Sequence, residues 1–487
     1  MKNVSSKTVA FNASLSAINT MVTILFSLVT LPYIARVLSV NNLGIISFSN
    51  SILSYFSLAA ALGMGSYAVR TGSQIKDDNV KLSKFGSEIF SINVISTLIS
   101  FVFLIVLLFC PTKVSNYKLI ILIQSISLLS APMALIWFYS IFEDFKFITI
   151  RNICIKTVSL ICVLIFVNSK DDVFQYVIIC CLADSIANIF NFIHSRKYLT
   201  LKFTTHNNFN YHKKYIAVFF VNSMATTIYV SSDITILGFL CNESFVAIYS
   251  IATKVYQTIK QVITAGIVAV LPRFAYYSIN NKYEFQILLE NIIRTLLIIT
   301  IPVCVFLNYC SEDIILLFAS SKYVDSVVPL NILTFAIPIT AISTIFSCGV
   351  LISFKEEKKV MHITVISAII NFVFNFALIP IINVAGAAFS TLISEITVLI
   401  LSLYYSRGFV KRILNKSHIK EIISISLVIF VFFVLFNPFI CDVENIIIRL
   451  FIKCLLFGLL YISCLAYFKD YLFSMFCSLI VRIIRKI

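Results

Sequence analysis

A few charged and amide side chains interrupt otherwise apolar runs of this chain, and their spacing limits what they can do. Lys254, Gln257 and Gln261 follow one another at steps of three and four, which puts them on one face of a helix. Lys260 falls about 120° round that helix. Lys156, Asp184 and Glu395 lie within other apolar runs. A charge at the middle of a bilayer costs about 2.5–3.5 kcal/mol on insertion scales, so each needs a reason. One reason is internal ion pairing that fixes helix packing. The other is a cationic cavity for an anionic cargo, with the acids serving as counter-charges or ion-coupling groups.

Two polar stripes accompany the charges. Asn12, Ser16, Asn19, Thr23, Ser27 and Thr30 step by three or four through the first apolar run, forming one stripe on a helix. Asn222, Thr226, Tyr229 and Asp233 form another in the seventh run. A polar stripe is unfavourable against lipid. It faces either a water-filled cavity or a neighbouring helix packed through small residues. The Asn residues and Asp233 favour the cavity. Asp233 and Glu395 are acids at membrane depth, candidates for ion coupling or charge balance, as is Asp184.

The elements that carry these residues are membrane spans. The 487-residue chain is 60% hydrophobic and 12% charged, too apolar for a soluble protein of this size. About fourteen runs of spanning length occur between residues 10 and 468. Backbone groups cannot remain unpaired in lipid, so each run predicts a helix. The longest outside loop is expected at about 308–326, and the longest inside loop at about 194–214.

The net charge of +16 is unevenly placed. With the N-terminus inside, inside loops hold 27 of the 38 Lys and Arg residues, Arg151 among them, and outside loops hold five. This is the positive-inside bias, and it predicts cytoplasmic N- and C-termini. No loop gathers a basic face with aromatics, which argues against nucleic acid as a partner. Met1–Lys7 is short and polar and precedes a long apolar run without a cleavage pattern, so the first helix is expected to stay in the membrane. Arg449 and Lys453 share a face near the outer end of the last span and are expected to snorkel. The basic, apolar segment Phe473–Lys486 is expected to lie on the inner surface. Most of the thirteen cysteines lie in apolar runs and read as small buried hydrophobes.

A repeat organises the chain. Shifting Asn19–Arg70 by 203 residues places Asn19 on Asn222, Thr23 on Thr226, Gly63 on Gly266 and Arg70 on Arg273. A shift of about 212 places Phe142 on Phe354 and Lys146 on Lys358. Six spans are thereby duplicated, the pattern of a transporter with two halves. The expected lobes are about 1–200 and 213–408, followed by two further spans and the basic tail in 409–487. The fold class is an all-α polytopic membrane protein. There is no G-x-x-x-x-G-K-[ST] loop for nucleotide hydrolysis and no H-E-x-x-H. The five histidines lie in or beside the predicted inside loops, which argues against a buried metal cluster.

Several stretches resemble the Wzx polysaccharide flippases of the multidrug/oligosaccharidyl-lipid/polysaccharide exporter superfamily. They include Leu31-Pro-Tyr-Ile-Ala-Arg-Val-Leu38, Trp137-Phe-Tyr with Glu143-Asp-Phe-Lys146, and Asp233-Ile-Thr-Ile-Leu-Gly238 with Tyr249-Ser-Ile-Ala-Thr-Lys254. Asn371, Asn375, Leu378-Ile-Pro380, Gly386-Ala-Ala388 and Glu395 continue the series. The resemblance implies fourteen helices and alternating access by a MATE-like fold without cofactor, metal or enzymatic activity. It implies a cargo, an undecaprenyl-diphosphate-linked oligosaccharide moved to the outer leaflet of the bacterial inner membrane for O-antigen or capsule synthesis. A polysaccharide polymerase and a chain-length regulator are implied partners. Relatives have a cationic central cavity, for which Arg36, Lys254 and Lys260 are the matching candidates here, with Gln257, Asn19 and Asn222 beside them. The competing readings are an ion-coupled multidrug antiporter of the same superfamily, a polymerase or ligase, and a major-facilitator porter. The two extra spans and the lysines disfavour the first. The lack of a large outside loop disfavours the second. The third lacks its signature in 67–85.

Overall fold

The computed structural model describes residues 6–204, 209–410, 416–441 and 443–467. The segment Phe473–Lys486 and the side chains of Asn12 and Ser16 lie outside the described residues. Helices account for the described elements: α1 Ser6–Val37, α2 Val40–Ala61, α3 Met64–Gln74, α4 Asn79–Phe109, α5 Lys118–Ser130, α6 Ile136–Phe142, α7 Phe145–Phe166 and α8 Val173–Ser195. There follow α9 Phe209–Leu240, α10 Glu243–Val268, α11 Leu271–Asn280, α12 Lys282–Phe318, α13 Val327–Thr344, α14 Glu357–Ser406, α15 Lys416–Cys441 and α16 Ile446–Tyr467.

The helix boundaries carry the repeat further than residue identities do. Ser6 and Phe209, Val40 and Glu243, and Asn79 and Lys282 each begin a helix, and each pair is 203 residues apart. Their caps repeat as well. Asp78 accepts hydrogen bonds from the Val80 and Lys81 amides, and Asn281, 203 residues on, accepts them from Tyr283 and Glu284. Such caps satisfy amides that a helix start leaves without intrahelical partners. Phe145 and Glu357 begin helices 212 residues apart.

Twelve helices among the described residues are long and apolar enough to cross a bilayer. α14, with 50 residues, would extend about 75 Å at ~1.5 Å per residue, well beyond a ~30 Å hydrocarbon core. Its backbone leaves helical geometry at Ile382 and Asn383, just after Pro380. Dividing it there and adding the shorter apolar stretch Ile422–Leu435 is what the expected fourteen would require.

Two compact units form, Met1–Ser250 with Asn375–Asn383, and Ile251–Phe374 with Val384–Ile487. In the first, α2 and α4 meet through hydroxyls. Ser96 and Ser100 of α4 donate to the Ala60 and Phe56 carbonyls, the small-residue packing that lets spanning helices approach. The other side of α4 exposes Leu98, Val102 and Val106, a surface suited to lipid. α2 ends where Leu62 and Gly63 both take left-handed backbone, with φ 49° and 65°. A Cβ at Gly63 would lie 2.7 Å from the Phe219 carbonyl oxygen, so glycine is required there for both backbone and space. In the second unit, α15 and α16 attach to α12 through Ile298, Ile422, Ile425, Ile429, Phe433 and Leu465.

Two loop expectations are corrected. The stretch 308–326 is no open loop, because α12 continues to Phe318. Its polar residues are spent inside the fold. Asn308 donates to the Thr334 hydroxyl, and Asp313 is 3% exposed. Likewise α9 begins at Phe209, so the expected inside loop is shorter, with 205–208 outside the described residues.

Candidate functional site

The α9 stripe of the first unit reaches a buried carboxylate. Asp233 accepts hydrogen bonds from the Tyr249 hydroxyl and the Asn375 amide, both at 2.6 Å. Neutral donors can stabilise a carboxylate that burial would otherwise penalise. Further up the helix, Thr235 donates to the Ser51 hydroxyl at 3.0 Å, and Ser54 donates to Ser231 at 3.0 Å. Between α2 and α9 lies a cavity of about 600 Å³. Asn50, Ser54 and Ser57 line it from α2, and Thr226, Thr227 and Ser231 from α9. These are one amide and five hydroxyls with Leu53, Leu58, Ala61 and Val230 among them, a composition able to hydrogen-bond sugar hydroxyls. Sequence reasoning identified Thr226 and missed the α2 side, although Asn50, Ser54 and Ser57 also step by four and three.

The two stripes are equivalent in the repeat but not in use. Thr23 donates to the Asn19 carbonyl and Thr226 to the Asn222 carbonyl, each at 3.0 Å. Asn222 is exposed, whereas the Asn19 side chain accepts from Asn152 of α7 at 2.6 Å. Asn152 in turn accepts from Arg151 at 2.7 Å. Asn19 is therefore engaged in helix packing. Arg151, expected in an inside loop, lies in α7 and also donates to the Asn191 side chain at 2.7 Å. Asp184 is exposed on α8, with Lys156 and Arg151 as its cationic neighbours. Lys156 sits 4.7 Å over the Phe26 ring, a cation–π contact.

One end of this unit is tightly closed. Asn41 and Ser244, 203 residues apart and so equivalent in the repeat, hydrogen-bond each other at 2.6 Å. Lys113 donates to the Cys241 carbonyl at 2.6 Å and pairs with Glu243 at 3.4 Å, and the Tyr117 hydroxyl donates to Glu243. A Cβ on Gly44 would stand 1.9 Å from the Glu243 carbonyl oxygen, so only glycine allows this approach. Asp172 caps the neighbouring loop, where the Asn168 and Ser169 amides hold its carboxyl below the usual range. Arg36 is exposed in the last turn of α1 and donates to the Pro32 carbonyl at 3.2 Å. At the opposite sequence end of these helices, His212 is buried between the Tyr67 hydroxyl at 2.7 Å and Glu88 at 2.9 Å. This histidine is an interior group rather than a loop residue.

In the second unit, Lys260 pairs with Glu395 at 2.7 Å. The Tyr256 hydroxyl joins the same carboxylate oxygen at 3.2 Å and meets Thr340 at 3.1 Å. The Glu395 side chain is 3% exposed and the Lys260 side chain 25%, so the Lys260 charge is largely compensated. Lys254 is exposed on α10, Gln257 is half-buried and Gln261 is exposed. A second buried cluster overturns the snorkelling expectation. Arg449 and Lys453 of α16 pair with Asp313 of α12 at 2.5 and 2.6 Å. Lys453 also lies 4.5 Å over the Tyr309 ring. These cations point into the protein, where a carboxylate replaces the lost hydration.

Comparison with known proteins agrees with this membrane fold and with the motifs. A family model described as "Polysaccharide biosynthesis protein" matches residues 9–278. The chain belongs to this family. Among its relatives are proteins named "Putative O-antigen transporter" from Escherichia coli (strain K12) and Shigella dysenteriae. The first is 21% identical over 79% of this chain and 93% of the relative, and the second 23% over 78% and 95%. Among solved structures, the lipid II flippase MurJ in an inward closed conformation aligns with a TM-score of 0.75 and 18% identity, covering 94% of this chain and 98% of MurJ. An inward-facing multidrug resistance MATE family transporter of the MOP superfamily aligns with a TM-score of 0.61 and 16% identity, covering 79% and 94%. This member of the polysaccharide biosynthesis family therefore has the all-helical, multi-pass fold of those transporters.

Proposed function

We propose that the protein flips undecaprenyl-diphosphate-linked oligosaccharide repeat units from the inner to the outer leaflet of the cytoplasmic membrane, for O-antigen or capsule synthesis. The observation that carries the reading is the hydroxyl-lined cavity between α2 and α9, in a family of polysaccharide biosynthesis proteins. Neutral hydroxyls and amides suit sugars, and they do not suit a lipophilic cation. The diphosphate carries about two negative charges and cannot cross hydrocarbon unaided. Lys254, exposed on α10, is assigned to it, with Gln257 of the same helix in support. Lys260 has its charge compensated by Glu395 and is assigned to holding α10 in place. Asp233 is assigned to ion coupling or charge balance.

Movement follows an alternating-access cycle. In it the contacts of Asn41, Lys113 and Tyr117 with 241–244 form the closed outer end and must break for release. The charge bias supports a cytoplasmic position for both termini. A reporter after Ser320 is then expected to read periplasmic, and one after Lys202 cytoplasmic. A polysaccharide polymerase and a chain-length regulator are the proposed downstream partners.

The test is removal of the gene and its replacement by a Lys254→Ala form. Loss of surface polymer with accumulation of lipid-linked units, in both strains and with normal protein levels, is the expected result. Unchanged polymer with altered drug sensitivity would favour the antiporter reading.

A further inference from the structure

A second cavity in the first unit, of about 510 Å³, lies where α7 begins and α8 ends. It is separate from the hydroxyl-lined one. Lys146, Arg151 and Lys197 supply its cations, and Asp144 its one carboxylate. That carboxylate is already occupied. It accepts the Tyr198 hydroxyl at 2.7 Å and the Phe147 amide at 3.4 Å, and stands 3.9 Å from His194. Burial, then the hydrogen bond to Asp144, pushes the Tyr198 phenol up to about 12, so it stays a donor. Among the described residues no carboxylate forms an ion pair with Lys146, Arg151 or Lys197. Arg151 is fixed by Asn152, Asn191 and the Ala187 carbonyl, and its buried Nε has no hydrogen-bond partner.

The remaining wall is apolar. Ile150 and Cys154 continue along α7 one turn apart, with Ile155 beside them and Phe190 opposite on α8. Ile150, Cys154 and Phe190 are exposed on helices that span the membrane. The cavity thus has a basic mouth beside the 196–204 connection and a hydrocarbon wall running into the span. Aromatic rings and basic side chains at that depth suit the interface between headgroups and acyl chains. Only His194 and Tyr198 supply neutral polar groups, and both face Asp144. A glycan would find no hydroxyl-binding shelf.

We propose that this cavity seats the headgroup of an anionic phospholipid, its phosphate at Lys146, Arg151 and Lys197 and an acyl chain along Ile150 and Cys154. A bound lipid would join the start of α7 to the end of α8. It would set how readily those helices move, independently of which cargo is carried.

The test uses the purified, delipidated full chain, titrated in detergent with phosphatidylglycerol or phosphatidylcholine and read by native mass spectrometry. Phosphatidylglycerol is expected to occupy one site with roughly tenfold or greater preference, from two or three basic groups at an interface. The Lys146→Glu, Lys197→Glu variant should lose that preference, and Lys146→Arg, Lys197→Arg should keep it. Both lysines are exposed, and the ring contact of Lys197 over Tyr198, at 5.9 Å, is kept by arginine. Equal binding of the two lipids, or a preference that survives charge reversal, would overturn the proposal. So would polyprenyl diphosphate displacing phosphatidylglycerol at equal concentration, which would make the site one for cargo.

Discussion

Asp184 of α8 and Glu395 of α14 stand at nearly matching places in the two halves, 211 residues apart and so one residue off the 212-residue shift, yet they live in different surroundings. Glu395 is 2% exposed, bound to Lys260 and Tyr256. Asp184 is exposed, with Lys156 and Arg151 nearby but without an ion-pair contact among the described residues. Acids at nearly matching places in the two halves thus have different partners. In one unit the cation comes from the equivalent of α2, since Lys260 corresponds to Ser57. In the other it comes from α7. An acid with a dedicated partner is a structural fastener, and one without is available for charge traffic.

That contrast is broken most forcefully by removing one member of the buried pair. Glu395→Gln leaves Lys260 without its counter-charge and is expected to cost about 3 kcal/mol or more, read as a lower unfolding midpoint in detergent. The Glu395→Gln, Lys260→Met double variant should recover most of the loss. If Glu395→Gln is as stable as the parent, the fastener account fails. Asp313 sets a parallel expectation. Asp313→Asn leaves Arg449 and Lys453 facing each other and should loosen α16, seen as faster proteolysis within 443–467.

The next effect is on transport. Ser54→Val with Ser231→Val removes one hydroxyl pair from the α2–α9 cavity at nearly constant volume. Export is expected to fall severalfold at unchanged protein level, because unmet sugar hydroxyls cost about 1 kcal/mol or more each. Asp184→Asn should move stability by less than about 0.5 kcal/mol, as for an exposed group. Its transport should change in pH dependence more than in rate at neutral pH. A large loss of stability would mean that Asp184 is fastened as firmly as Glu395.

The smallest effect concerns the caps. Folding lowers the Asp78 carboxyl below its ordinary value, chiefly through the Lys81 amide. Its contribution is therefore present above the unfolded carboxyl pKa and lost as pH falls through the folded one, below ~4. Amide exchange at the start of α4 should quicken there. The Asn281 cap of α12, which does not titrate, should hold.

Much of this was legible because period and length survive in sequence. The stripe of Asn222, Thr226, Tyr229 and Asp233, the spans and the 203-residue shift all follow from local spacing. Rotation and partnership did not, because they join residues far apart. Lys260 meets Glu395 across 135 residues, and Lys453 meets Asp313 across 140. Asp313 was hidden for a second reason. With Asn308, Ser311 and Glu312 it makes a polar patch that looks like a loop, although α12 carries it inward. With Asp313 read as part of an outside loop, Arg449 and Lys453 have no visible carboxylate and read as snorkelling. The α2 face of Asn50, Ser54 and Ser57 had helical spacing throughout. Only the presence of α9 beside it made it a cavity.

The central claim is movement of a lipid-linked glycan, and its most direct test is flipping in vesicles. The full chain is reconstituted with a fluorescent polyprenyl-diphosphate-linked oligosaccharide, and the glycan in the outer leaflet is destroyed by an impermeant oxidant. The account predicts that all the glycan becomes reactive in vesicles holding the protein, about half in empty vesicles, and about half again with Lys254→Ala. Half-reactivity with the unaltered, folded protein would contradict it.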